Sequence, residues 1–277
     1  MSERVGTQTC YPDLAPGAPD ITVVQPSTVT YEQPLNEVIR TCLRLSQSFQ
    51  QIIHAIQGAT PWNSRAALSG ILDVLSILDR PDLKSKLSKA LQQHHDKLAK
   101  LIHSPKIDTD RLQQALTEIH EVSESLIKHH GKFAQGLRED KFLDHIRLQL
   151  QNGVGQLESA AFRYWLNRPA EARKHDLTQW HAAFSLIESA VNLLLSMIRD
   201  STHATKQTAQ HGFFEMALDQ QQSCQLVQVI MDSQAGAYPE ISVSRHHLCI
   251  RFLTQEDGLC SVPVDTDIAF SLKIGVL

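Results

Sequence analysis

Apolar residues recur at two different periods along this chain, and the change from one to the other limits the folds open to it. From Pro34 to about Thr202 they follow helical spacing; from Cys224 onward they alternate in twos. A helix places i, i+3, i+4 and i+7 on one face, whereas a strand places every second residue on one face. Helices followed by strands mean segregated elements, so the spacing predicts an α+β fold: a mainly helical domain followed by a small antiparallel β-domain.

Leu35, Val38, Ile39, Cys42, Leu45, Phe49, Ile52, Ile53 and Ile56 predict a first amphipathic helix, with Pro34 in its first turn and Gly58 and Pro61 ending it. Ala66–Leu78 reads as a buried helix. Leu83 to Leu101 predicts a third, stopping before Pro105, and Asp108 or Thr109 caps a fourth carried by Leu112 to Leu126. Leu137–Leu150 reads as one shorter helix broken by the NGVG stretch at 152–155, and Leu177 to Ile198 as one last long helix. Beyond these, CQLVQVIMD (224–232), HLCIRF (247–252) and DIAFSLKI (267–274) read as strands, with Thr205–Met216 as the first strand of the sheet. The resulting division is an N-terminal arm at 1–29, proline-rich and without period, a helical domain at 30–202 and a β-domain at 203–277. The arm is compatible with strand or extended structure near Thr28–Tyr31.

The 277 residues carry a net charge of −4, so attraction to polyanions must come from a local patch. No apolar run approaches the ~20 residues that cross a bilayer. The first residues lack the basic and apolar regions of a secretory signal. Five scattered cysteines (10, 42, 224, 249 and 260) show no paired spacing and suit free thiols in the cytoplasm.

Catalytic signals are weak. Fourteen histidines include three adjacent pairs, at 94–95, 129–130 and 246–247. Neighbours on a helix diverge by about 100°, so such a pair does not chelate one ion as an i, i+4 pair does. His95 and Asp96 loosely resemble the His-Asp pair of metal-dependent phosphohydrolases, but Gln92, Gln93, Lys97 and Lys100 surround them as on a solvated face. NGVG lacks the strand and glycine spacing of a phosphate loop, and no nucleophile elbow occurs. These features imply no cofactor and no metal. What remains is a set of basic residues: Arg40, Arg44, Arg138, Lys141, Arg163, Lys206, Arg245 and Arg251. Arginines on a surface helix or an outward strand position are most often simply solvated.

Several of these stretches, in order, resemble the ZapD family of bacterial cell-division proteins. They are YEQPLNEVIRTCLRL (31–45), LREDKF (137–142), YWLNRP (164–169), KQTAQHGFFE (206–215) and YPEISVSRHHLCIRF (238–252). The similarity spans roughly Thr30 to Ile274, and residues 57–130 match mainly in helical pattern. The resemblance implies a helical domain joined to a β-domain and a non-enzymatic homodimer at the mid-cell division site. It also implies binding to the C-terminal tail of the tubulin-like protein FtsZ, and bundling of its protofilaments. By motif it implies a basic pocket at Arg44, Lys141, Arg163 and Arg251, with Arg80 at a looser match and Arg40 and Arg245 beside it. His247 stands where the family pattern favours arginine, and Arg245 would substitute for it. Arginine suits such a role because its planar fork binds carboxylates bidentately. The rival readings are a metal-dependent phosphohydrolase using His95 and Asp96, and a nucleic-acid-binding module using the same arginines. The net charge and the lack of interleaved aromatic and basic residues count against the second. No membrane contact is expected.

Overall fold

Asn36 starts the first helix. Its side-chain oxygen accepts the Ile39 amide proton at 2.9 Å, so α1 runs Glu37–Gln57. Pro34 is therefore not in the first helical turn but ends a strand, β1 (Thr28–Pro34). A residue without an N–H is tolerated there because β1 is an edge strand, paired only with β4 (Cys224–Asp232). The computed structural model describes residues 27–102, 109–151, 159–219, 223–244, 246–256 and 260–276. Asp108, the NGVG stretch and Arg245 lie outside them.

The remaining helices are α2 (Pro61–Leu78), α3 (Leu83–Ala99), α4 (Thr109–Lys128), α5 (Gln135–Glu139), α6 (Lys141–Gln151), α7 (Ala160–Leu166), α8 (Ala170–Ala182) and α9 (Ser185–Asp200). Two differ from the expected single helices. Leu137–Leu150 is split at Asp140, whose carboxylate accepts the amide protons of Phe142 at 2.8 Å and Leu143 at 3.1 Å and so caps a new helix. The last long helix is bent by 63° between α8 and α9. Periodicity could not show the bend, because both halves face one core: Leu177, Phe184, Ile187, Val191 and Leu194 pack with Leu45, Phe49, Ile52, Ile71 and Leu75 of α1 and α2.

One buried arginine fastens this bundle. Arg173, 4% exposed, donates to Ser64 Oγ at 2.9 Å, to the Ala59 carbonyl at 2.7 Å and to the Leu166 carbonyl at 3.1 Å, and also to the Arg168 carbonyl. It joins the start of α2, the end of α7 and the body of α8. A buried charge is tolerated when its protons are satisfied in this way.

The strands form two sheets, not one. The first has order β1-β4-β8-β2, with β2 at Thr205–Ala209 and β8 at Ile268–Val276. The second has order β3-β6-β5, with β3 at Phe213–Ala217, β6 at His247–Glu256 and β5 at Tyr238–Val243; β7 (Cys260–Pro263) also pairs with β6. Thr205–Met216 is consequently two strands. The chain turns at His211 and Gly212, both at positive φ (48° and 69°), and β3 enters the other sheet. A Cβ on Gly212 would lie 2.2 Å from the Val264 carbonyl oxygen, so glycine is required there. All pairings are antiparallel. The sheets close over Val227, Val229, Met231, Phe270 and Leu272 on one side and Leu248, Ile250 and Phe252 on the other.

The outer face of the first sheet lies under α9. Glu32 and Gln228 are directly opposite in register, hence on one face. Arg199 of α9 grips Glu32 with two hydrogen bonds of 2.8 and 2.7 Å, and Gln228 donates to the same carboxylate at 2.9 Å. The Glu32 contact pushes Arg199 above its already high ordinary pKa, against partial burial. Arg199→Met should lower unfolding stability by about 1.5–3 kcal/mol, the range for a charge-assisted pair, as read by urea denaturation. A loss below 0.5 kcal/mol would mean that the pair is solvated and contributes little.

A second buried polar group sets an acid limit. His94 of α3 is 6% exposed, and its Nε2 has no hydrogen-bond partner among the described residues; the same holds for Ser123 Oγ of α4. Burial first, then Lys97, pulls the imidazole down from 6.5 to about 4. The unfolded chain gains this proton near pH 6.5 and the folded chain only near pH 4. The stability conferred by neutral His94 is complete above pH 6.5 and is lost as pH falls through that window. The loss should be on the order of 2–3 kcal/mol by pH 4, and His94→Leu should flatten the profile measured by denaturation between pH 7 and 4.

Candidate functional site

The link from β1 to α1 is pinned at two points. The Leu35 amide donates to the Gln225 carbonyl at 2.9 Å, and Asn36 Nδ2 donates to Gln225 Oε1. This sets the first turn of α1 against the start of β4. A cavity of about 530 Å³ opens beside it, walled by Gln33, Pro34 and Leu35, by Arg40 of α1, by Leu218, Asp219 and Cys224, and by Val243, Ser244 and His246 at the β5–β6 hairpin. The hairpin is closed by Ser244, whose amide donates to the His247 carbonyl at 2.9 Å and whose hydroxyl accepts the His247 amide proton at 3.2 Å. His246 Nδ1 is buried with no partner among the described residues.

Charge at the Arg40 wall is shared. Glu37 accepts from Arg40 and from Arg80, each at 2.8 Å, with all three side chains about half exposed. The hydrogen bond from Arg80, then that from Arg40, holds the Glu37 carboxyl below the usual carboxylate range. One carboxylate between two guanidiniums leaves N–H donors for a second carboxylate, although Asp219 on the cavity wall offsets the remaining positive charge.

Of the seven expected basic residues, the six that are described do not line one common pocket. Arg40 lines the cavity and Arg80 joins it through Glu37. Arg44 sits one turn along α1 in a groove with Asp73 and Ser76 of α2, where burial pushes the Asp73 carboxyl up against the opposing pull of Arg44. Lys141 is exposed at the start of α6. Arg163 lines another groove, between the start of α2 and the end of α7. Arg251 lies on the outer face of the second sheet, in register with Glu240 and Phe213. Arg245 is outside the described residues, although its neighbours Ser244 and His246 line the cavity. His247 pairs with Ala217 in β6. His95 and Asp96 lie 3.4 Å apart on α3, with Asp96 also accepting from Gln92 at 2.8 Å. Among the described residues no three His, Cys, Asp or Glu side chains are grouped to hold a metal ion, and no single helix is long and apolar enough to cross a membrane.

Sequence reading noted the His246–His247 pair and the 238–252 stretch that holds Ser244, but assigned neither Ser244, His246 nor Gln225 to a site, because the contact between Asn36 and Gln225 joins residues 189 positions apart.

A helical bundle seated on a β-sandwich, with a cation-bearing cavity at the joint, defines a two-part α+β protein. The model of the ZapD family, described as a cell division protein, matches residues 43–251. The chain belongs to that family. It is 39% identical over 229 residues to Cell division protein ZapD of Coxiella burnetii (strain RSA 331 / Henzerling II), covering 82% of this chain and 89% of that protein. It is 33% identical to that of Ralstonia pickettii (strain 12J), with 89% and 98% covered, and 30% identical to that of Methylococcus capsulatus, with 90% and 98% covered.

Because Asn36 serves as both helix cap and anchor to Gln225, Asn36→Ala should cost more than the ~1 kcal/mol of an ordinary cap. Asn36→Asp should restore the cap but lose the donor to Gln225. A double-mutant cycle with Gln225→Ala, read by urea denaturation, separates the two contributions.

Proposed function

We propose that this chain is a cell division factor of the cytoplasm that binds the C-terminal tail of FtsZ at mid-cell, and that as a homodimer it crosslinks FtsZ protofilaments into the Z ring. The observation that carries the reading is the Arg40–Glu37–Arg80 arrangement at the interdomain cavity: paired guanidiniums share one carboxylate beside a space of peptide dimensions. A tail carboxylate would displace or join Glu37, while Leu35, Leu218 and Val243 give an apolar side chain somewhere to sit. Charged rims speed and orient association, and apolar burial supplies the affinity. Arg44, Lys141, Arg163 and Arg251, with Arg245, would extend the basic surface along which a bundled filament lies. Two such sites in a dimer raise apparent affinity for a filament through bivalency, without further contacts.

The test separates the two signs of charge. Arg40→Glu and Arg80→Glu should weaken tail-peptide binding about ten- to a hundredfold, the range for a lost charge-assisted contact, whereas Glu37→Gln should strengthen it several-fold by releasing both arginines. Each change is at an exposed site, so circular dichroism and folding stability should alter little. Affinity should fall as salt rises, because exposed charges are screened. If all three variants bind the peptide like wild type, the cavity is not the receptor. A 31 kDa species at micromolar concentration in analytical ultracentrifugation would rule out the dimer.

A further inference from the structure

The outer face of the first sheet is covered by α9 along only part of its length. Glu32, Gln228 and Lys273 share that face by register. Arg199 grips Glu32, Lys273 approaches Asp200 at 3.8 Å, and a Cβ on Gly275 would stand 2.7 Å from Ile198. At the other end of the same face Thr28, Thr30, Asp232, Ala269, Thr208 and Lys206 are all exposed. This end is concave. A groove of about 680 Å³ runs across all four strands, from Thr28 of β1 over Ile230 of β4 and Ala269 of β8 to Lys206 of β2. Asp232 on its floor is engaged with its own turn, accepting the Gln234 amide proton at 2.9 Å. Lys206 has no ion pair with the described residues.

The chain itself enters at the rim of this groove. The Ser233 amide donates to the Ser27 carbonyl at 3.1 Å, which fixes the start of β1 beside the end of β4. Twenty-six residues precede Ser27, and those nearest to it read Asp20-Ile21-Thr22-Val23-Val24-Gln25-Pro26. A run of four β-branched residues favours extended backbone, and Pro26 restricts Gln25 to the same region. Because Pro26 has no N–H, no ladder hydrogen bond is lost where the segment leaves the line of β1. An extended segment alternates its faces, so Ile21 and Val23 point the same way. Six extended residues reach about 20 Å, whereas the three gaps between four neighbouring strands total about 14 Å. Residues 21–26 are thus long enough to cross from β1 to β2, which brings Asp20 to Lys206.

We propose that residues 20–26 cross the open end of the first sheet of their own chain, with Ile21 and Val23 packed on Ile230 and Ala269 and the Asp20 carboxylate paired with Lys206. The N-terminal arm then completes the cover that α9 begins. A segment tethered at Ser27 meets the groove at an effective concentration on the order of millimolar, which favours it over the arm of a second copy. The groove lies at the opposite end of β1 from the interdomain cavity, and the proposal does not depend on how that cavity is read.

The full chain is used for the test. The photocrosslinker p-benzoylphenylalanine is placed at Thr208 or at Ala269, and crosslinked peptides are mapped by mass spectrometry. A mixture of isotope-labelled and unlabelled chains separates crosslinks within one chain from crosslinks between two. Both positions should crosslink to residues 18–26 of the same chain, and a probe at Glu215, exposed on the second sheet, should not. The double variant Ile21→Asp, Val23→Asp should lower the yield about tenfold or more, because its carboxylates would face Ile230 and Ala269 without a partner. Lys206→Glu should lower it several-fold by repelling Asp20. Circular dichroism establishes that the variants are folded. The proposal is overturned if neither position reaches the arm, if the crosslinks join different chains, or if Glu215 gives an equal yield. A double variant that crosslinks like wild type would overturn it as well.

Discussion

The grip of Arg199 on Glu32 holds the two halves of this molecule in register. Among the described residues β1 is the one strand contributed from the N-terminal side of the bundle, and it leads directly into α1. Because Glu32 is fixed under α9 by two hydrogen bonds, with Gln228 on the same carboxylate, the first turn of α1 has little choice of position. Asn36 and Leu35 complete the placement through Gln225. The cavity follows from this placement, since its walls come from β1, α1 and the second sheet.

The second sheet reaches the cavity only because the chain changes sheets at Gly212. Had β2 and β3 continued as one strand, the β5–β6 hairpin would have no partner layer to carry it toward α1. Phe270 makes that layer a packed sandwich: its ring meets Phe214 edge-on at 5.3 Å and Phe252 at 5.2 Å, across the space between the sheets.

Charge on the helical domain is mostly used internally. Arg138 and Arg147 both meet Asp79, Arg147 also meets Asp144, and Arg168 meets Asp176. Such pairs contribute modestly to stability at exposed sites, but they remove those arginines from the supply available to a ligand. Asp79 and Glu37 each serve two cations, but the Glu37 group is about half exposed and lies beside the cavity. A competing internal carboxylate of this kind sets a threshold: a ligand must offer better geometry or more carboxylates than Glu37 does.

Periodicity alone determined much of this protein. Leu35 to Ile56 announced α1, and the alternation of Leu248, Ile250 and Phe252 announced β6, because burial of one face leaves its period in the residues. The order of helices and strands, and hence the α+β class, followed from that. The arginines of α1 were visible by the same reasoning, as the polar stripe opposite the apolar one. Tertiary structure alone decided the bend between α8 and α9, the split at Asp140, the departure of β3 to a second sheet and the joining of β1 to β4. In each case the pattern of buried residues is unchanged by the event: a bend toward the same core and a strand crossing to the facing sheet both keep the same residues inside. The distribution of Arg44, Arg163 and Arg251 over separate surfaces, and the meeting of Arg40 with Ser244 and His246, were likewise hidden. A sequence records which face of an element is apolar, whereas which faces meet depends on contacts between residues far apart in the chain.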